Sequence, residues 1–148
     1  MSLISFPISP ENIKEKVFNE APVQAYNPSG TTGYKAEYTY TVPTGRKSIV
    51  MMSFSVTIPQ SSTNGQNPIG AAAGITLMEF VKAGDIIYSG VRAYTSNNSP
   101  YNHNYEFFYN LNGVNIYQKL LTNIASAGNP LVGSQKVNHT VEALQFDP

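Results

Sequence analysis

The chain predicts an all-β fold, an antiparallel sandwich, and three observations carry that expectation. Apolar and polar residues alternate with a period of two through "YTYTVPTGRKSIVMMSFSVTI", residues 38 to 58. Gly, Pro, Asn and Asp punctuate the chain at short spacing, the pattern of brief strands joined by turns. Helical spacing is confined to a short N-terminal stretch and one segment near residue 120. Antiparallel sheets with one wet face show such alternation, whereas parallel strands covered on both faces read as unbroken apolar runs.

At 148 residues the chain is close to the commonest domain size, and a domain of that length buries roughly 70% of the surface its unfolded chain exposes. One domain suffices. Formal net charge is zero and 12% of residues are charged, about half the ~25% of an average soluble domain. Solvation therefore falls to uncharged polar groups, and Asn, Ser, Thr, Gln and Tyr supply them. Amides and hydroxyls do not titrate where carboxylates do, which suits an exterior or acid-exposed setting. Nine cations offset by nine acids, spread along the chain, form no basic stripe and argue against nucleic acid as a partner. Without cysteine the fold has neither disulfides nor thiolate metal ligands. No apolar run approaches the ~18 residues of a membrane span, and "MSLISFPISPENIKEK" lacks the layout of a signal peptide. Asn97 in "NNS" and Asn138 in "NHT" match the glycosylation sequon, a three-residue pattern that an Asn-rich chain meets often by chance.

The elements follow in order. Ser9, Pro10 and Glu11 form a helix-start signal of cap, first-turn proline and acid, and Ile13, Val17 and Phe18 make a narrow apolar stripe behind it. Residues 1 to 33 are expected to be an arm carrying one short helix, and five of the chain's eighteen charges lie between Glu11 and Glu20. Residues 34 to 148 are expected to be the sandwich domain. Tyr38, Tyr40 and Val42 share one strand face; beyond the Pro43 to Lys47 connection, Val50, Met52, Phe54, Val56 and Ile58 share one face of the next strand. "PQSSTNGQNPIGAAA", residues 59 to 73, is a long loop, and loops beyond ~12 residues are usually functional or mobile. Strands over Ile75 to Val81 and Ile86 to Tyr94 meet at "KAGD", where Gly84 supplies the positive φ of a tight turn. "YEFFYN", "LNG" and "VNIY" predict a hairpin turning at Asn112 and Gly113. Ile116, Leu120 and Ile124 recur at helical spacing, so residues 116 to 126 stand between helix and strand-then-loop, the second being preferred. "KVNHTVEALQF" is the final strand. Together these describe an antiparallel β-sandwich of jelly-roll or Greek-key type with an N-terminal arm carrying one short helix.

"YTVPTGRKSIVMMSFSVTI", followed after an insertion by "LMEFVKAGDIIYSGV", resembles the jelly-roll and sandwich domains on the outside of virions: tail-fibre tips, head fibres, turrets and capsid decorations of phages and archaeal viruses. The resemblance covers about residues 38 to 92, and tumour-necrosis-factor-like and carbohydrate-binding sandwiches share its "GD" turn. It implies a non-enzymatic structural or receptor-facing subunit of a symmetric assembly at the virion or another extracellular surface. Its partners would be copies of itself or other subunits of the particle.

Chemistry is sparse. The only histidines are His103 and His139, and neither sits in a nucleophile motif. "GTTGYK" and "NGQNPIGAAAG" lack the phosphate-cradle spacing. A metal site would need His103, His139, Asp85 and Glu106 or Glu142 to converge, and Glu79 with Glu106 could act as a glycosidase pair only ~5 to 9.5 Å apart. The expectation is a protein with no catalytic residue, no metal and no cofactor. The alternative to a structural role is sugar binding, because "AYTSNNSPYNHNYEFFYN" is dense in Tyr and Asn, whose flat rings and amides suit carbohydrate. Tyr105, Phe107 and Tyr109 are expected to alternate into the core, leaving Tyr94, Asn97, Asn98, Tyr101, Asn102 and His103 as a candidate glycan or receptor loop.

Overall fold

The period-two alternation does set the architecture. In the computed structural model, which describes residues 10–57, 72–96, 103–122 and 136–148, nine strands run antiparallel in two sheets with no α-helix among the described residues. They are β1 (Glu15–Glu20), β2 (Val23–Ala25), β3 (Thr31–Thr41), β4 (Lys47–Thr57), β5 (Ala72–Lys82), β6 (Ile86–Ser96), β7 (His103–Leu111), β8 (Val114–Thr122) and β9 (Lys136–Phe146). One sheet has the order β1-β9-β4-β5 and the other β2-β3-β6-β7-β8. Val50, Met52, Phe54 and Val56 of β4 face the second sheet, where Ile87, Val91 and Ala93 of β6 and Tyr105, Phe107 and Tyr109 of β7 meet them. The expected inward turn of those three aromatics is thus observed. The Phe54 and Phe107 rings stack at 6.0 Å across the middle of the sandwich.

The short helix expected after Pro10 is not formed. Pro10–Asn12 makes a single 3-10 turn, and Glu15–Glu20 is an edge strand paired residue by residue with β9 from Gln145 to Thr140. A helix this short, with only Ile13, Val17 and Phe18 to bury, is marginal in water. Pairing with β9 instead satisfies the backbone and packs Val17 against the core. β2 and the start of β3 likewise lie in the five-stranded sheet, so the described part of the segment expected as an arm is built into the sandwich. Residues 116–122, at the preferred end of the helix-or-strand choice, belong to β8, and residues 123–126 lie outside the described residues.

Two corners carry the chain between sheets at one end of the sandwich. Val42 to Arg46 links β3 to β4, and Ala83 to Asp85 links β5 to β6, with Gly45 and Gly84 at φ of 78° and 85°. The corners are bonded to each other: Val42 N–H donates to the Asp85 carbonyl and Gly84 N–H to the Val42 carbonyl, both at 2.9 Å. The β7–β8 turn locks onto them. Asn112 (φ 51°) accepts the Ile86 N–H on Oδ1 at 2.8 Å and donates from Nδ2 to Asp85 Oδ1 at 3.0 Å. At the opposite end lie the strand termini that flank residues 58–71, 97–102 and 123–135, as the pairs Thr57↔Ala72, Thr57↔Lys136, Thr95↔His103 and Asn104↔Thr122 show.

Candidate functional site

Four of the chain's eighteen charged side chains meet on the outer face of the five-stranded sheet. Alternation sends Ala36, Val91 and Phe107 inward, so Lys35 and Glu37 of β3, Arg92 of β6 and Glu106 of β7 project outward on neighbouring strands. Arg92 is the hub. Its Nε donates to Glu37 Oε1 at 2.8 Å, one terminal nitrogen donates to Glu106 Oε1 at 3.0 Å, and the other to the Tyr88 hydroxyl at 3.3 Å. Tyr88 in turn donates to Glu37 Oε2 at 2.5 Å, and Gln118 Nε2 donates to Glu106 Oε2 at 3.0 Å.

Gly90 makes this network possible. It stands between Glu37 and Phe108 in register, and a Cβ there would meet the Ala36 carbonyl oxygen at 2.7 Å and Glu37 Cγ at 2.8 Å. The missing side chain lets Glu37 lie flat across β6 toward Tyr88 and Arg92. It also leaves a bed for Phe108, which is buried although it faces outward. The Arg92 guanidinium covers that ring at 4.4 Å and lies 5.3 Å from the Tyr26 ring, inside cation–π range. Tyr88 meets Phe108 edge-on at 5.2 Å, and Tyr26 meets Tyr94 edge-on at 5.9 Å.

The electrostatics follow from this packing. Burial acts to raise the Glu37 carboxyl, but hydrogen bonds from Tyr88 and Arg92, with the charges of Arg92 and Lys35, outweigh it and hold the pKa below the usual value. Burial and the bond to Glu37 together raise the Tyr88 phenol. Arg92 is held protonated, because its carboxylate and phenol partners more than offset its own desolvation. Glu37, Glu106, Lys35 and Arg92 cancel in formal charge.

Beside the hub a groove of about 230 Å³ opens between Tyr88, Arg92, Glu106, Phe108, Asn110, Asn115 and Gln118. A β-bulge shapes it. Asn115 pairs with Asn110 and Gln118 with Phe108, so two residues three apart in sequence share one face, which a regular strand forbids; the register shifts at Tyr109/Asn110.

The candidate loop set is only partly described. Asn97, Asn98, Tyr101 and Asn102 lie outside the described residues. Tyr94 projects outward, half-buried against Tyr26, with its phenol raised by burial and by Glu106. His103 is buried, opposite Thr95 on the inward face, so β6 and β7 place these two on opposite sides of the sheet. The groove, farther along β6 and β7 and reaching β8, was missed by sequence reasoning. Its only sequence trace is the outward parity of Tyr88, Arg92, Glu106 and Phe108 once the inward set is known.

The other candidate constellations do not converge. His139 is in the core, Asp85 in a corner, Glu106 outside the five-stranded sheet, and Glu142 outside the four-stranded sheet with Lys16 at 3.3 Å. Glu79 receives the Tyr109 hydroxyl at 2.9 Å from across the sandwich, on the other side of the sheet from Glu106; burial and that contact push the Tyr109 phenol up to about 12. Ser89 and His139 do form a serine–histidine pair, at 2.7 Å. Both are fully buried. His139 Nδ1 donates to the Ser53 carbonyl at 2.9 Å, which fixes the neutral tautomer whose Nε2 accepts from Ser89, and burial pulls the imidazole pKa down to about 4. This is a hydrogen bond within the core.

No protein-family model, no curated protein and no solved structure matches the chain.

Proposed function

We propose that the protein is a non-enzymatic structural subunit of a virion-surface or other extracellular assembly, joined to copies of itself through one side wall of the sandwich. The observation that carries the reading is where the exposed apolar side chains lie. Of eight large ones among the described residues, Met78 and Phe80 on β5 and Val114, Ile116 and Leu120 on β8 are 47–61% exposed. β5 and β8 are the edge strands of the two sheets on the same side; Met78 and Phe80 face out from the four-stranded sheet and Leu120, opposite Glu106, faces out from the five-stranded one, so exposed apolar groups flank this edge on both faces. Exposed apolar edges are what monomeric sandwiches blunt with charge, and here the charged residues are Lys82 and Lys119, with Glu79 turned inward to the Tyr109 hydroxyl. A second copy laid against this wall would cover both edges at once, and closed symmetric contacts are the usual outcome for such surfaces.

The interior supports a mechanical role. The serine–histidine pair is sealed in the core, and polar core groups such as Tyr40, Ser48 and Gln145 bond one another. The crossovers β1→β2, β3→β4, β5→β6 and β8→β9, with β9 set between β1 and β4, support a Greek-key description; the side-by-side β4–β5 pair and the β6–β7–β8 meander are simpler than a fully wound jelly roll.

Light scattering on the purified chain tests the reading. The expected result is a stable oligomer that Phe80→Asp with Leu120→Asp converts to monomer while the β-sheet circular dichroism persists. A wild-type monomer at every concentration refutes it.

A further inference from the structure

We propose that the groove beside Arg92 is a binding site for a neutral saccharide, with room for one pyranose ring. The inference rests on the groove's own side chains and not on the assembly reading, although Asn115 and Gln118 belong to the edge strand β8.

Three features select the ligand. The ion pairs are closed on themselves: Arg92 is taken up by Glu37, Glu106 and Tyr88, so the lining offers no uncompensated charge to a carboxylate, sulfate or phosphate. A charged ligand would have to break that set, and burying an unpaired charge is costly. The second feature is the amide set. Asn110 and Asn115 stand outside the ion-pair network, and Gln118 spends its nitrogen on Glu106 but keeps its carbonyl oxygen. Amides both donate and accept, which matches vicinal hydroxyls that do the same. Thirdly, Tyr88 is held by Glu37 and braced edge-on by Phe108, giving a fixed ring beside the amides. A sugar's C–H face can pack there while its hydroxyls reach Asn110, Asn115 and Gln118.

The bulge is the deciding detail. A sheet surface kept only for solvation needs no displaced residue, whereas this one turns Asn115 onto the face of Gln118, where both line the groove. Bulges re-aim side chains at sites in this way.

The test is an NMR titration of the full chain with methyl glycosides of glucose, galactose, mannose and N-acetylglucosamine, and with N-acetylneuraminic acid as the charged comparison. At least one neutral glycoside is expected to bind with a dissociation constant on the order of millimolar. Shifts should fall on the side-chain amides of Asn110, Asn115 and Gln118. Asn115→Ala, at an exposed edge position, should weaken binding about tenfold or more, and Gln118→Ala should act likewise; the amide fingerprint of each variant shows whether it remains folded. Absence of binding by any neutral glycoside, preference for the acidic sugar, shifts located elsewhere, or affinity unchanged in both variants would each overturn the proposal.

Discussion

His139 shows how one residue sets an acid limit on a chain whose surface hardly titrates. Its imidazole is neutral in the core with a pKa of about 4, below the 6.5 of the exposed ring. A depressed folded pKa means the unfolded state binds the proton first, so the contribution is present above pH 6.5 and lost as pH falls toward 4. The loss can reach about 3 kcal/mol, since each pKa unit is worth about 1.4 kcal/mol. Urea unfolding should therefore give a stability flat near neutrality and declining from about pH 6.5 to 4. His139→Leu should remove that slope and cost about 1–3 kcal/mol at neutral pH, because Ser89 and the Ser53 carbonyl lose their buried partner. The lowered Glu37 carboxyl acts in the same direction at more acid pH, so a residual acid limit remains in the variant. The amide-rich surface suits an acid-exposed setting, but the core histidine should decide where folding gives way.

At the scale of elements, the corner formed by the three bonded turns should be the least replaceable part of the fold. Asn112 holds a left-handed conformation and two side-chain bonds, to Ile86 N–H and Asp85. Asn112→Ala should cost about 2 kcal/mol, combining the strain of αL for alanine with the lost hydrogen bonds. Asn112→Gly should recover the strain part only, and thermal melts of the three proteins separate the two terms. Much of this was legible beforehand: the alternation of β4, the Asn-Gly turn and the Gly84 turn all follow from residues adjacent in sequence. What could not be read is what depends on pairing. "KAGD" is a tight turn as expected, yet its flanking strands join different sheets, and local residues carry no record of that. The helix signal at Pro10 was real, but β9 offered residues 15–20 a ladder that outweighed it. Glu37 and Arg92 lie 55 positions apart, so the groove existed in the sequence only as unpaired halves. The β8 bulge hid it further, since it breaks the period by which outward residues are counted.

Across the whole molecule the two ends of the sandwich are built differently, and that asymmetry should appear in its fluctuations. One end is tied by bonds between corners and by Asn112, and Lys14 and Arg46 both reach Asp147 there at 3.4 Å. The opposite end is where strands terminate next to residues 58–71, 97–102 and 123–135. Opening free energies follow local burial and bonding, so central strands β4, β6 and β9 should carry the slowest-exchanging amides, those that open only with global unfolding. Within each of these strands protection should fall toward the end away from the corners: Val50 and Ile87 above Val56 and Thr95. Edge strands β2 and β8 should exchange fastest in the isolated chain, and β5 and β8, but not β2, should slow as concentration rises if the apolar wall is where copies meet. Hydrogen exchange by NMR at two concentrations reads all three patterns. Uniform protection along β4 and β6 would remove the mechanical asymmetry, and β8 exchange independent of concentration would remove the wall as the contact. A gradient together with concentration-dependent β5 and β8 would place the rigid end and the assembling side on one molecule.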